Sequence, residues 1–156
     1  LSDHSYAMPQ FLKLRGRNAL SAFRSKKLLA AVAADVAGLG ISAEYWHFIE
    51  LQRAPDAAEL RKLERILSYG PRSGDITQAG TLLLVTPRLG TISPWSSKAT
   101  DIVRHCGLEA VIRIERGVAW WCTHAGKPLS AIERAALLHH VHDRMTESVL
   151  DDLDAA

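Results

Sequence analysis

The sequence predicts an α+β fold: duplicated βαβα halves packed as a pseudo-dimer, with mainly antiparallel sheet and the helices on one face. Three observations carry this. Strand-like and helix-like segments alternate four times along the 156 residues. LSAFRSKK (20–27) lines up with ISPWSSKA (92–99), placing Ser21 on Ser93, Ser25 on Ser97, Lys26 on Lys98 and Phe23 on Trp95. Each half alone is also too small for a good core, so the two must bury their faces against each other.

Taken in order, Leu12 and Leu14 alternate with Lys13 and Arg15 as in a short strand. Leu29, Val32, Val36 and Leu39 then make a helical stripe, which Gly38 and Gly40 end. ISAEYWHFIEL (41–51) carries aromatic residues on both faces and reads as a well-covered strand. Asp56 and Glu59 form a capping-box pair before a helix striped by Leu60, Leu63 and Leu67, stopped at Gly70-Pro71. A Gly/Ser/Asp-rich linker, 71–80, separates pseudo-repeats of about 11–70 and 81–151.

In the second copy, Leu82 to Thr86 is a short buried strand. Ser93-Pro94 opens a helix with an inner stripe of Trp95, Ala99, Ile102 and Cys106, ended by Gly107. Residues 109–123 form a long strand in which Gly117 marks a bulge or bend. Ser130 and Glu133 cap a last helix striped by Leu138, Val141, Met145 and Val149. The first seven residues, LSDHSYA, read as a disordered polar extension before a single domain over 8–156, and the two ends suit a piece of a larger chain.

Composition narrows the function classes. A hydrophobic share of 47% and a charged share of 23% suit an ordinary globular protein. The net charge of +2 is too small for a nucleic-acid partner, which needs clustered Lys and Arg. Leu28–Ile41 is too short and too weakly apolar to span a bilayer, so no membrane role is expected. Cys106 and Cys122 fit neither a disulfide framework nor a zinc pattern and read as reduced cytoplasmic thiols.

The richest stretch for chemistry is PRLGTISPWSSKATDI, 87–102. It combines a glycine turn with a helix start, hydroxyls on Ser93, Ser96 and Ser97, and cations at Arg88 and Lys98. That set can hold an anion. Capping by Ser93 and docking by Trp95 outweigh this, because no glycine cradle accompanies Gly90 and neither a P-loop nor a dinucleotide fingerprint is matched. His139, His142 and Asp143 can converge on the last helix, but a solvated face is favoured over a metal site. Cys122 with His124 lacks a third orienting group, so a buried thiol is favoured over a nucleophile. Trp120-Trp121 puts one indole on each face of the sheet, one as core and the other as a candidate interface anchor. Tyr45 and His47 share a strand face and read as core or sheet-surface residues. These residues describe a non-catalytic module: a docking domain of a larger enzyme or a ligand sensor.

The 87–102 run, with CGL (106–108) and RIERGVAW (113–120), closely resembles the large, single-chain type of phosphoribosylformylglycinamidine synthase. LRGRNALSAFRSKKLL, SAEYWHFIEL, LERILSYGP, LLLVTPR and HDRMTESV extend that likeness over nearly the whole chain from Met8, as its N-terminal domain. Leu89 departs from the family pattern, which usually has proline there. The resemblance implies an amidoligase of de novo purine synthesis, which converts formylglycinamide ribonucleotide to formylglycinamidine ribonucleotide using ATP, Mg²⁺ and glutamine. The family's glutaminase triad and its nucleotide and metal ligands do not map here, so no catalytic residue, cofactor or metal is expected in this chain. The domain resembles a fused pair of the small separate subunit (the PurS type) of split enzymes.

Its implied role is to bridge the synthetase and glutaminase domains of the same chain. The candidate surface for this is Arg88, Gly90, Thr91, Ser93, Trp95, Ser96, Ser97, Lys98 and Asp101. The alternative is an autonomous regulatory module that binds a small metabolite between its halves. An RNA-binding module ranks third, since Tyr45 and Trp46 offer stacking without a basic stripe.

Overall fold

The computed structural model describes residues 9–34, 36, 38–69, 80–88, 90–125 and 127–155. The polar extension 1–7, Gly70-Pro71, nearly all of the 71–80 linker and Leu89 lie outside the described residues. The elements are β1 (Gln10–Asn18), α1 (Ala22–Val32), β2 (Leu39–Leu51), α2 (Ala57–Ile66), β3 (Thr81–Pro87), α3 (Pro94–His105), β4 (Val111–His124), α4 (Ala131–Val141), β5 (Glu147–Leu150) and a closing 3-10 turn, Leu153–Ala155. Every strand pairing is antiparallel, in the order β1-β2-β4-β3-β5. No helix among the described residues is long and apolar enough to cross a membrane.

Local chemistry explains the helix starts. Ser21, Asp56, Ser93 and Ser130 each accept a backbone N–H three residues ahead, and the Asp56/Glu59 and Ser130/Glu133 capping boxes are complete. Gly107, at φ +91°, ends α3 by donating to Arg104 O, while Leu108 N reaches back to Val103 O. Leu108 and Val103 are both buried in one cluster, which completes a Schellman stop.

The halves join through the long β2–β4 ladder, whose midpoint pairs Tyr45 with Val118. All four helices cover one face, in two pairs. Val32 of α1 and Leu137 of α4 pack over Ala43, Leu83, Trp120 and Cys122. Leu63 of α2 and Val103 of α3 pack over Ile49, Leu51 and Ile114. The duplication is visible at atomic detail, with a drifting offset. It is 72 between the caps Ser21 and Ser93, 73 between Tyr45 and Val118, and 74 between the caps Asp56 and Ser130. The first extra residue is a bulge at Ile112, where Glu50 pairs with Arg113 but Leu51 with Val111. Because side chains alternate, that insertion moves the helix-facing residues from odd numbers in β2 to even numbers in β4.

Several expectations are corrected here. α1 ends at Val32, and Leu39 and Gly40 belong to β2, because Gly38 (φ +83°) turns the chain before the stripe is used up. α2 ends at Ile66, capped by Leu67, short of Gly70. Gly117 is not a bulge: the ladder runs through it unbroken, and a Cβ there would meet Thr86 Cγ2 at 3.0 Å and Val85 O at 3.1 Å. α4 stops at Val141. Met145 is exposed in a turn, and Val149 lies in β5 on the outer edge of β3. A four-residue strand carries too short a period to separate from a helix tail.

Candidate docking surface

The 87–102 motif divides into an inward and an outward set. Ser93 caps α3, and its hydroxyl donates to Glu115 Oε1 at 2.8 Å. Glu115 is buried and also accepts from Arg113 and from the backbone N–H of Arg116. Arg113 in turn donates to Thr91 O at 3.2 Å, so one β4 carboxylate and one β4 guanidinium hold the approach to α3. The Arg88–Thr91 turn closes through Thr91 N and Oγ1 on Arg88 O, with Gly90 at φ +84°. Arg88 N donates to Thr146 O, which ties the turn to the start of β5.

Ser96 is completely buried. Its hydroxyl donates to Ile114 O, and Thr100 Oγ1 accepts from Ile114 N at 3.1 Å. The β3–β4 pairing stops at Val85–Val118, so at Ile114 two α3 hydroxyls serve the peptide where a neighbouring strand no longer does. This corrects the expected inner stripe of α3 in part: Trp95 packs inward and Ala99 is partly buried as expected, but the far half of the stripe is not inner. Ser96 and Val103 face the sheet, while Ile102 and Cys106 are exposed, because Ile114's peptide needs polar partners that an apolar stripe lacks. The hydroxyls expected to cradle an anion are therefore engaged with protein groups at Ser93 and Ser96.

Trp95 is half-buried and stacks on His47 at 5.8 Å, with Tyr69 6.1 Å away. The Arg116 guanidinium lies 4.8 Å from the Trp95 ring and 4.7 Å from Tyr45. His47 Nε2 and Tyr69 Oη are hydrogen-bonded at 2.5 Å. Burial drives the His47 pKa down to about 4, with the Arg116 charge adding and the Leu14 backbone opposing. Burial also raises the Tyr69 pKa. This aromatic–cation plug, including Arg116 and Tyr69, was not foreseen; the signal available was the alternation that puts Tyr45 and His47 on one strand face.

What remains outward is Arg88, Gly90, Thr91, Ser97, Lys98 and Asp101. Under the turn, Phe11, Phe48, Thr86 and Arg113 help to line a cavity of about 160 Å³ on the face without helices. The same face carries Glu44, wholly buried between Trp46 Nε1 (2.9 Å), Trp121 Nε1 (3.0 Å) and Arg15 Nε. Trp120 lies in the core on the opposite face, as the two-sided reading of Trp120-Trp121 expects.

The other candidates disperse. His142 and Asp143 lie beyond the end of α4, where His142 Nε2 bonds Glu147 O and Asp143 Oδ1 accepts from Met145 N. The expected lack of a third orienting group is corrected, since His124 Nδ1 pairs with Glu133, but Cys122 is buried, which pushes its thiol up to about 12. An inert core thiol follows.

A family model for the N-terminal part of formylglycinamide ribonucleotide amidotransferase matches residues 44–156, which is 113 of the 156. The chain belongs to that family. The match opens inside β2, takes in the whole 87–102 motif, and leaves β1 and α1 outside it. The duplication links these two elements to their matched counterparts, β3 and α3.

Proposed function

We propose that this chain is a structural docking domain, which bridges the synthetase and glutaminase parts of a formylglycinamide ribonucleotide amidotransferase. The supporting observation is the family match over 44–156 together with the split of its central motif. Ser93, Trp95 and Ser96 fasten α3 to the sheet, and this presents Arg88, Thr91, Ser97, Lys98 and Asp101 outward on a rigid element. Arg88 and Lys98 supply cations for a partner surface, where charge steers orientation more than it adds affinity.

The reaction proposed for the whole enzyme is formation of formylglycinamidine ribonucleotide from formylglycinamide ribonucleotide, glutamine and ATP with Mg²⁺. ATP and Mg²⁺ would act in the remainder of the chain. Here the hydroxyls of Ser93 and Ser96 are committed to Glu115 and Ile114, which supports a docking role for this stretch.

Complementation in trans tests the reading. The remainder of the enzyme is assayed for ATP- and glutamine-dependent product with and without this chain. Restoration by the chain is expected, and a remainder that is stable and fully active alone sinks the proposal. In the full enzyme, Arg88→Ala with Lys98→Ala is expected to lower the coupling of glutamine hydrolysis to product several-fold while the fold persists.

A further inference from the structure

The duplication places the aromatic plug and an open groove at corresponding positions on the helix face. In the half covered by α2 and α3, Trp95 and Tyr69 close over His47 and Arg116. Across the pseudo-axis, Phe23 corresponds to Trp95 (offset 72) and Trp120 to His47 (offset 73). Phe23 does not fold in: it is 75% exposed, at the rim of a groove floored by Tyr45, Val118 and Trp120. Trp120 is buried, and its indole N–H has no hydrogen-bond partner among the described residues.

Charge specifies what this groove suits. Its rim carries Arg24 and Lys27, and among the described residues no Asp or Glu lines it. α1 as a whole has three cations and no acid. Neither Arg24 nor Lys27 has a side-chain partner among the described residues. An apolar floor and a cationic rim call for an anionic segment with an apolar anchor.

We infer that the groove between α1 and α4 receives an acidic segment from the remainder of the amidotransferase chain, which inserts an aromatic side chain over Trp120 as Trp95 and Tyr69 do in the other half. This rests on the docking reading above and adds a second contact surface to it, whose cationic rim on α1 lies outside the family match.

The test is a titration of the ¹⁵N-labelled chain with the capped peptide EEFEELFEE, following the tryptophan indole signals. The Trp120 signal is expected to move and the Trp95 signal to stay. Binding should weaken by about tenfold or more with QQFQQLFQQ, or in the chain carrying Arg24→Glu and Lys27→Glu. Those positions are exposed, and an unchanged melting temperature checks that the variant folds. No movement of Trp120, or movement that survives the charge reversal, overturns the inference. So does a response to ATP with none to the peptide, which makes the groove a small-anion site. The two proposals fail separately. Peptide binding can be absent while complementation in trans succeeds, and complementation can fail while the peptide still binds.

Discussion

The half containing α3 and the half containing α1 start from the same pattern and reach different ends. Both open on a serine cap, at Ser93 and Ser21. α3 is then fastened: Ser96 and Thr100 hold Ile114's peptide, and Trp95 stacks on His47 beneath Arg116. At the positions of Trp95, Ser96 and Thr100, α1 has Phe23, Arg24 and Leu28. Its hold on the sheet is apolar, through Val32 and the partly buried Leu28 and Leu29. Of the two corresponding helices, α3 is fastened to the sheet by polar and aromatic contacts drawn from both copies. The other keeps its aromatic and its cations on the surface.

The largest expected difference lies at the paired aromatics. Trp95→Ala should cost about 3 kcal/mol in denaturant unfolding, whereas Phe23→Ala should stay within about 0.5 kcal/mol. Equal costs at the two positions would abolish the contrast.

The next effect is a pH dependence that arises at His47, beneath α3. His47 has a folded pKa of about 4 against 6.5 in the unfolded chain, so the unfolded state binds more protons between those values. Its contribution is fully present above pH 6.5 and is lost as pH falls towards 4, amounting to roughly 3 kcal/mol. Unfolding curves from pH 7 to 4 should show that slope, and His47→Leu should flatten it. Trp120, its counterpart, cannot titrate.

A smaller effect belongs to Gly117, which corresponds to Glu44 at the offset of 73. Gly117→Ala should destabilise by about 2 kcal/mol, because the new methyl group meets Thr86, Leu84 and Val85 of β3. A neutral result in thermal melts would mean that β3 yields easily. Smallest is the hydroxyl anchor: Ser96→Ala should cost about 1 kcal/mol, and Arg24→Ala at the matching place nearly nothing. Faster hydrogen exchange at Ile114 should instead follow Thr100→Val, because the Thr100 hydroxyl accepts that N–H while Ser96 serves only the carbonyl.

Much of this was legible in the sequence because it depends on neighbours along the chain. Ser21, Asp56, Ser93 and Ser130 announce helix starts through side chains that reach only three residues ahead. The eight-residue likeness around Ser21 and Ser93 announced the duplication, and an antiparallel α+β sheet with one helical face followed from it. The motif at 87–102 was legible as a unit, but not its division into inward and outward residues. Ser96 looks like any helix-surface serine until the end of the β3–β4 pairing makes it the partner of a buried carbonyl.

The sequence by itself determined where helices begin, which segments repeat and to which family the pattern belongs, since caps, glycine stops and hydrophobic periods act over a few residues. Only the tertiary structure decided which face each residue took. A single inserted residue at Ile112 reversed the parity of β4, and packing then placed Arg116 among Tyr45, Tyr69 and Trp95. It also left Phe23 outside, because contacts between distant segments are set by the space that remains once both halves are joined, and no local period encodes that space.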